Sequence, residues 1–272
     1  MSDVTLVTMF YNIGRENWGL YPRKVQEYIE AFSKFLDYNY KMIIFVDDRY
    51  YDQLQEKINS SKYKHTKKLI PINEQWLFDN LWSWSRLDKE KEIMDSVKYK
   101  SLVQHRIDRS YPENTNPYYT ILTHSKIDVV NYVIDKKLSK DKHLAWVDFG
   151  YFYNKLSDEY LPADILDVNK LDKDKFNICL VNGISELYDS NILYTLQYAP
   201  EKIGAYFFSG SKTVLKQFQE LAHSWLIKFQ EEYNIADDEQ GLWLQCYFEK
   251  PELFKLHNFY GKWHQALKEF SK

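Results

Sequence analysis

Glycine and cysteine are both scarce in this sequence. Eight glycines among 272 residues are too few to assemble a glycine-rich loop around a phosphate, which argues against a protein kinase. The two cysteines, Cys179 and Cys246, each lie in an apolar segment. Such cysteines are expected to be buried and reduced, so nothing in the sequence indicates a disulfide-stapled fold.

A surplus of positive charge and a long apolar run are also missing. Lysine and arginine number 36 against 39 aspartates and glutamates. This balance argues against a nucleic-acid partner, because nucleic-acid-binding proteins concentrate basic residues on one face. No run approaches the roughly 20 apolar residues of a membrane span, and the N-terminus lacks the basic and apolar regions of a signal peptide. We therefore expect a soluble, cytoplasmic protein.

The sequence does contain an alternation of apolar strands and amphipathic helices. With 44% hydrophobic residues, the chain can bury a large core. The expected strands are Val4–Tyr11, Lys41–Val46, Lys68–Ile72, a strand ending at Asp148, Asn177–Val181, Ala205–Phe208 and Leu253–His257. Their alternation with helices predicts an α/β fold with a mostly parallel, Rossmann-like central sheet flanked by helices. No linker or repeat interrupts the pattern, which predicts a single domain over residues 1–272.

Helices are expected between these strands. The predicted helical segments run from Pro22 to about Leu36, Glu74 to Lys100, Thr123 to Leu138, Ser211 to about Glu232 and Asp238 to Phe248. Pro22 suits a first helical turn, because proline has no N–H to leave unpaired there. Tyr111–Tyr119 contains Pro112 and Pro117 and is therefore predicted to be a loop.

The apolar run that starts at Leu144 ends in Asp148, Phe149 and Gly150. A carboxylate at the end of a buried strand is suited to hold a divalent cation against a diphosphate, as in enzymes that use nucleotide sugars. Gly150 would let the ligand come close to the backbone. One carboxylate supplies at most two ligand atoms, so a metal site needs further partners. The alternative is an aspartate that caps the next turn.

Other segments are expected to meet Asp148 at the carboxyl ends of the strands, where open α/β sheets bind ligands. In the loop after the first strand, backbone groups near Thr8 and Phe10 are candidates for holding a base and ribose. Arg15 is a candidate for meeting phosphate, and a solvated Arg15 is the alternative. Lys126 is predicted at the start of a helix, where a cation opposes the helix dipole. That position favours a role near the diphosphate or beside Asp148.

Two further groups of candidates precede helices. Ser209 and Gly210 are small residues at the end of a strand. They and their backbone amides are candidates for a wall against the donor sugar. The alternative is a simple strand-to-helix turn. Asp237, Asp238 and Glu239 precede an apolar helix. They are either ordinary caps or carboxylates that accept a proton from an acceptor hydroxyl or support positive charge on the anomeric carbon.

His257 and Lys262 complete the candidate site. His257 ends an apolar strand and is the candidate nitrogen ligand for a metal held with Asp148. The alternative is a structural histidine at the end of that strand. Lys262 is expected to lie near enough to neutralise phosphate.

Three motifs, in the same order along the chain, carry a family resemblance. They are I-G-R-x-N-W from Ile13 to Trp18, N-P-x-Y followed by S-K from Asn116 to Lys126, and W-x-D-x-G from Trp146 to Gly150. Together they resemble the HtrL/YibB-like family of predicted glycosyltransferases, and the resemblance implies a GT-A-like fold.

The C-terminal part is similar to glycogenin-type galactosyltransferases, through an acidic D-E-Q helix start and a histidine before G-K-W. This resemblance implies that Asp148 and His257 hold Mn²⁺ or Mg²⁺, that Lys262 contacts the diphosphate and that Asp238 lies near the reacting carbon. Gly150 stands where those enzymes carry the second aspartate of an Asp-x-Asp motif. That departure leaves metal-independent catalysis open.

The expected function is transfer of a monosaccharide from a nucleotide diphosphate sugar, with a UDP-sugar as the expected donor. The expected acceptor is a hydroxyl of a glycan or related molecule. The alternative is a nucleotide-sugar or carbohydrate-binding protein that has the same fold and no turnover.

Overall fold

The computed structural model describes residues 4–19, 22–103, 112–153, 165–260 and 264–272. Its strands are β1 Val4–Phe10, β2 Lys41–Asp47, β3 Lys67–Ile72, β4 His143–Val147, β5 Phe176–Leu180, β6 Ile203–Ser211 and β7 Phe254–Asn258. Its α-helices are α1 Val25–Ser33, α2 Tyr51–Ser60, α3 Glu74–Asn80, α4 Leu87–Asp95, α5 Val97–Val103, α6 Pro112–Thr115, α7 Pro117–Asp135, α8 Glu186–Asp189, α9 Ile192–Tyr198, α10 Lys212–Ile227, α11 Glu239–Glu249 and α12 Ala266–Glu269. Every strand predicted from the sequence is present, with small shifts at the ends.

The described strands form one sheet in the order β3-β2-β1-β4-β6-β5-β7. β6 runs antiparallel to both of its neighbours, β4 and β5, whereas the other neighbouring pairs are parallel. The predicted α/β fold with a mostly parallel central sheet flanked by helices is therefore confirmed. The parallel strands end at one edge of the sheet, and β6 presents its amino end there.

Helices cover both faces of the sheet, and each face has its own apolar core. On one face α7, α10 and α11 pack against a core that includes Val7, Trp146 and Phe208. On the other face α1 and α2 contribute to a core that includes Leu6 and Ala145. Consecutive side chains of a strand point to opposite faces, so a sheet covered on both sides needs apolar residues at nearly every position of its central strands.

The long helix α7 begins at Pro117, so the loop predicted for Tyr111–Tyr119 is wrong for its described part. The Asn116 side chain caps the helix by accepting hydrogen bonds from two backbone N–H groups at 3.0 and 3.2 Å. Proline fits the first helical position because it has no N–H to leave unpaired there. The prediction for Lys126 is wrong as well, because this residue lies in the middle of α7 and not at its start.

Other helix boundaries differ from the prediction as well, and the segment from Glu74 to Lys100 is divided among several helices. α1 begins at Val25, so Pro22 lies before the helix. α10 ends at Ile227, and a π-helical segment from Lys228 to Tyr233 continues the predicted long helix. Within the described ranges, none of the helices combines the length and apolar character needed to cross a membrane.

Candidate active site

A cavity of ≈ 550 Å³ opens at the edge of the sheet where β1 and β4 end. Its walls come from the loop after β1, the residues after β4, the middle of α7 and the first turn of α11. The predicted site residues that line it are Phe10, Arg15, Lys126, Asp148, Gly150 and Glu239. Open α/β sheets bind their ligands at this edge, and the fold brings these six residues into one cavity there.

Lys126 is the centre of a buried ion-pair cluster in the cavity wall. Its Nζ donates to Glu239 Oε1 at 2.7 Å, lies 3.0 Å from Asp148 Oδ1, and donates to the Ala205 carbonyl at 3.3 Å. Burial lowers the pKa of this ammonium, but the charges of Asp148 and Glu239 outweigh burial and hold the pKa above its ordinary value. Lys126 is therefore a fixed cation that positions two carboxylates.

The Asp148 carboxylate is held by neighbours as well as by Lys126. Trp146, two residues earlier on the same face of β4, donates from Nε1 to Asp148 Oδ1 at 2.7 Å. The backbone N–H of Asp148 donates to the Tyr206 carbonyl at 2.9 Å. The side chain is still 33% exposed, so the carboxylate is fixed in orientation and accessible from the cavity.

Gly150 makes room for a protein side chain. A Cβ at this position would lie 2.8 Å from Cε1 of Tyr28, closer than real carbon contacts allow. The Tyr28 ring packs against Phe10 and Tyr153, with centroids 5.5 and 5.3 Å away. The packing of Tyr28 therefore explains why position 150 carries no side chain, and the close ligand approach expected from the sequence is not needed to account for the glycine.

Two arginines meet at the Tyr28 hydroxyl in the cavity wall. Arg15 Nη1 donates to Tyr28 Oη at 3.0 Å, and Arg23 Nη1 donates to the same oxygen at 3.4 Å. Arg15 lies over the Trp18 ring at 5.1 Å, and Arg23 lies over the Tyr153 ring at 4.4 Å. The sequence singled out Arg15 alone, because no spacing pattern links Arg23 and Tyr28 to it.

The three acidic residues around the start of α11 have different surroundings. Asp238 Oδ1 accepts from the backbone N–H of Gln240 at 3.0 Å and caps the helix. Asp237 is buried, and its carbonyl accepts from His124 Nε2 at 2.9 Å. Glu239 lines the cavity at 2% exposure, and its Oε2 has no hydrogen-bond partner among the described residues. Of the three, Glu239 is the one that faces a ligand site.

The structure contradicts the placement of Ser209 and Gly210 against a donor sugar. They pair with Ala145 and Leu144, near the start of β4, whereas Asp148 follows the end of that strand. Because β6 is antiparallel, its carboxyl end lies at the opposite edge of the sheet from the cavity. Ser209 is also completely buried. The prediction assumed a parallel strand.

The predicted convergence of Asp148 and His257 is wrong. β7 is three strand spacings from β4, roughly 14 Å across the sheet. The His257 imidazole instead pairs through Nε2 with Asn177 Oδ1 at 2.8 Å, and burial lowers its pKa to about 4. His264 is the histidine that lines the cavity. Burial lowers the His264 pKa to about 4, against the opposing effect of Asp148, so this imidazole is neutral at pH 7.

The described side chains do not by themselves supply a set of ligands for the expected Mn²⁺ or Mg²⁺. These cations require several oxygen ligands around one point. Asp148 Oδ1 already receives hydrogen bonds or charge from Lys126 and Trp146, and His257 is remote. No group of three or more histidine, cysteine, aspartate or glutamate side chains in the described ranges is arranged to hold a metal ion.

Of the two remaining candidates, only Thr8 lies among the described residues. Thr8 is fully buried within β1 behind the cavity wall, and its Oγ1 has no hydrogen-bond partner in the part of the chain that the structure describes. Lys262 lies outside the described residues. The residues that sequence reasoning missed, Arg23, Tyr28 and His264, share no motif, and only the fold brings them to the cavity.

Comparison with known proteins gives a family for this chain. The family described as "Bacterial protein of unknown function (HtrL_YibB)" matches residues 2–272. The chain belongs to this family. The family membership expected from the sequence motifs is therefore confirmed, and the family's description states no activity.

One curated relative and one solved structure can be set beside the chain. Protein HtrL of Escherichia coli (strain K12) is 24% identical over 284 residues, covering 99% of this chain and 93% of that protein. The crystal structure of mouse xyloside xylosyltransferase 1, in its apo form, is similar over 93% of this chain and 84% of that chain, with 11% identity and a TM-score of 0.43. A likeness at this level carries no conclusion about activity, and the glycogenin-type features receive no support from it.

Proposed function

We propose that this protein transfers a monosaccharide from a nucleotide diphosphate sugar to a hydroxyl group of a glycan or related acceptor. The observation that carries the proposal is the Lys126 ammonium fixed between the Asp148 and Glu239 carboxylates in a cavity at the carboxyl ends of β1 and β4. UDP-sugars are the first donors to test. The GT-A-like fold expected from the family resemblance agrees with the proposal but does not carry it.

The charges of the cavity are arranged in two parts. The buried part holds two carboxylates and one ammonium, so it is net negative when all three are ionised. The part around Tyr28 holds the guanidinium groups of Arg15 and Arg23. Breaking a glycosyl–phosphate bond produces positive charge on the anomeric carbon and negative charge on the departing diphosphate. A cavity with this polarity favours both charges, provided that the sugar lies toward Asp148.

The chemical step is the following. The bond between the anomeric carbon and the diphosphate oxygen breaks, and its electron pair leaves with the diphosphate. The acceptor oxygen forms the new bond to the anomeric carbon, and the acceptor hydroxyl proton passes to a carboxylate. We assign that proton to Glu239, because its buried Oε2 has no hydrogen-bond partner among the described residues. Asp148, held by Trp146 and Lys126, supports the positive charge on the sugar.

The test is turnover of a panel of nucleotide sugars by the purified protein, with release of the nucleotide measured with and without added acceptor glycans. Slow hydrolysis of at least one donor is expected even without acceptor. Asp148→Asn should reduce release by at least about 100-fold, because preorganised charge contributes several kcal/mol to such steps. Glu92→Gln is the matched control, since Glu92 is 69% exposed on α4 and does not line the cavity.

Two outcomes would contradict the proposal, and a third would contradict the role assigned to Asp148. Binding of a nucleotide sugar without any release of nucleotide would favour the alternative of a binding protein. If the protein neither binds nor turns over any of the donors, nucleotide sugars are not its substrates. Full activity of the Asp148→Asn variant would show that Asp148 takes no part in the reaction.

A further inference from the structure

Arg15 and Arg23 form a double cationic site that is built into the cavity wall. Their guanidinium groups donate to one oxygen, Tyr28 Oη, at 3.0 and 3.4 Å, so the two groups lie within reach of a single small anion. The backbone N–H of Arg23 donates to the Arg15 carbonyl at 3.4 Å, which ties the two residues together. Two like charges held this close repel each other, and a polyvalent anion between them removes that repulsion.

Aromatic rings flank both arginines in the cavity wall. Arg15 lies over Trp18, and Arg23 lies over Tyr153. A guanidinium group on the face of a ring donates its hydrogen bonds in its own plane, which suits the paired oxygens of phosphate. Both arginines line the cavity and are partly buried, so an anion there would be partly shielded from water.

Lys126 is paired with one oxygen of the Asp148 carboxylate. Asp148 Oδ1 is 3.0 Å from Lys126 Nζ and accepts from Trp146 Nε1 at 2.7 Å. A divalent cation at this oxygen would have to displace a lysine that is also bound to Glu239 and to a backbone carbonyl. A divalent cation on either oxygen of Asp148 would lie close to the buried Lys126 ammonium, and like charges at such short range repel each other strongly.

We propose that the diphosphate of the donor is bound by Arg15 and Arg23, with Tyr28 as their positioning residue, and that transfer proceeds without a divalent metal ion. This inference rests on the proposed function. When the glycosyl–phosphate bond breaks, its electron pair moves to the diphosphate oxygen. The two guanidinium groups stabilise the added negative charge. Lys126 keeps the two carboxylates of the buried part in place during the step.

The first experiment measures binding of inorganic pyrophosphate and of UDP to the full chain by calorimetry in buffer that contains EDTA. Arg15→Ala and Arg23→Ala are each expected to weaken binding at least about tenfold, and the double variant to lose it, because each removes a charge-assisted contact. Arg15→Lys and Arg23→Lys keep the charge without the planar fork and should fall in between. They also cover the case in which an alanine variant fails to fold, as judged by circular dichroism.

Lys216→Ala is the matched control, since Lys216 is an exposed cation on α10 and does not line the cavity. It removes the same unit of charge and should bind both ligands like the wild type. Arginine variants that bind pyrophosphate and UDP as tightly as this control would overturn the assignment.

The second experiment measures nucleotide release from the active donor in EDTA and in Mn²⁺. Equal rates, within about threefold, are expected, because a metal that takes no part in the step should not accelerate it. Turnover that requires Mn²⁺ would overturn the metal-free inference and leave the proposed function standing. Binding of UDP through the two arginines without turnover of any nucleotide sugar would support the anion site and contradict the proposed function.

Discussion

Lys126 Nζ lies 2.7 Å from Glu239 Oε1, although the two residues are 113 positions apart in the sequence. The contact joins the middle of α7 to the first residue of α11 beneath the cavity. Both side chains are almost completely buried. A buried ion pair of this kind contributes little net stability compared with an apolar pair of the same shape, but it is costly to break by removing one partner.

Lys126→Met is therefore expected to destabilise the protein. The variant leaves the Glu239 carboxylate buried without its cation, which costs about 3 kcal/mol of unfolding free energy. Lys126→Met combined with Glu239→Gln should recover a large part of this loss, because the uncompensated charge is gone. Chemical denaturation of the two variants measures both effects.

Lys216→Met is the control for that measurement. Lys216 pairs with Asp135 at 2.5 Å, but the two side chains are 50% and 57% exposed. Loss of such a surface pair should cost less than about 1 kcal/mol. If Lys126→Met lowers the free energy of unfolding by no more than Lys216→Met does, the prediction that Lys126 compensates a buried charge is wrong.

Glu90 is expected to make stability depend on pH. It is completely buried on α4, and Gln230 Nε2 donates to its Oε2 at 2.6 Å. Burial, opposed by the weaker effect of that hydrogen bond, raises the pKa of Glu90 from 4.5 to about 7. Between these values the folded protein keeps a proton that the unfolded chain releases, so stability falls as the pH rises from about 4.5 to about 7.

Glu90→Gln should remove this dependence, because the amide does not ionise and keeps a similar shape. The variant should gain free energy of unfolding relative to the wild type when the pH is raised from 5 to 8. This gain is at most about 3 kcal/mol, because one unit of pKa shift corresponds to about 1.4 kcal/mol. Unfolding by urea at the two pH values measures it. Glu92→Gln, exposed on the same helix, should show no such gain, and a wild-type curve that is flat over this range would contradict the prediction.

Gly150→Ala is expected to weaken anion binding through Tyr28. The added methyl group would lie 2.8 Å from Tyr28 Cε1, so the ring must move. The hydroxyl that positions Arg15 and Arg23 moves with it. We expect pyrophosphate affinity to fall severalfold and stability to fall by about 1 kcal/mol, the lower end of the cost of overpacking.

The control for this substitution is Gly19→Ala. A Cβ at Gly19 would meet no atom within 4 Å. Its pyrophosphate affinity, measured by the same calorimetry, should equal that of the wild type. Unchanged binding in Gly150→Ala would show that the position of the Tyr28 ring does not matter for the anion.

Asp238 and Glu239 are adjacent but should respond differently to substitution. Asp238→Ala removes the cap of α11 and should cost about 1 kcal/mol of stability with most turnover retained. Glu239→Gln should reduce turnover at least about 100-fold, because it removes the carboxylate that accepts the acceptor proton. Nucleotide release and thermal unfolding of both variants distinguish the two roles. Loss of turnover in Asp238→Ala but not in Glu239→Gln would show that Asp238 takes part in the reaction and Glu239 does not.

Part of the site could be predicted because its signals are local. Asp148 follows an apolar run that can only be a buried strand, and the loop with Arg15 follows another. The carboxyl ends of parallel strands meet at one edge, so placing these two residues together required only the strand and helix pattern. The two prolines predict a loop where α7 begins, whereas Pro117 follows a capping asparagine and occupies the first turn of a helix.

The sequence by itself determined which segments form strands and helices, because hydrophobic periodicity and capping residues act over a few positions. It did not determine the direction of β6, and that direction moved Ser209 and Gly210 to the far edge of the sheet. It also did not determine which histidine reaches the cavity. Strand direction and contacts such as Lys126 with Glu239 depend on how distant segments pack, and no short-range pattern encodes that packing.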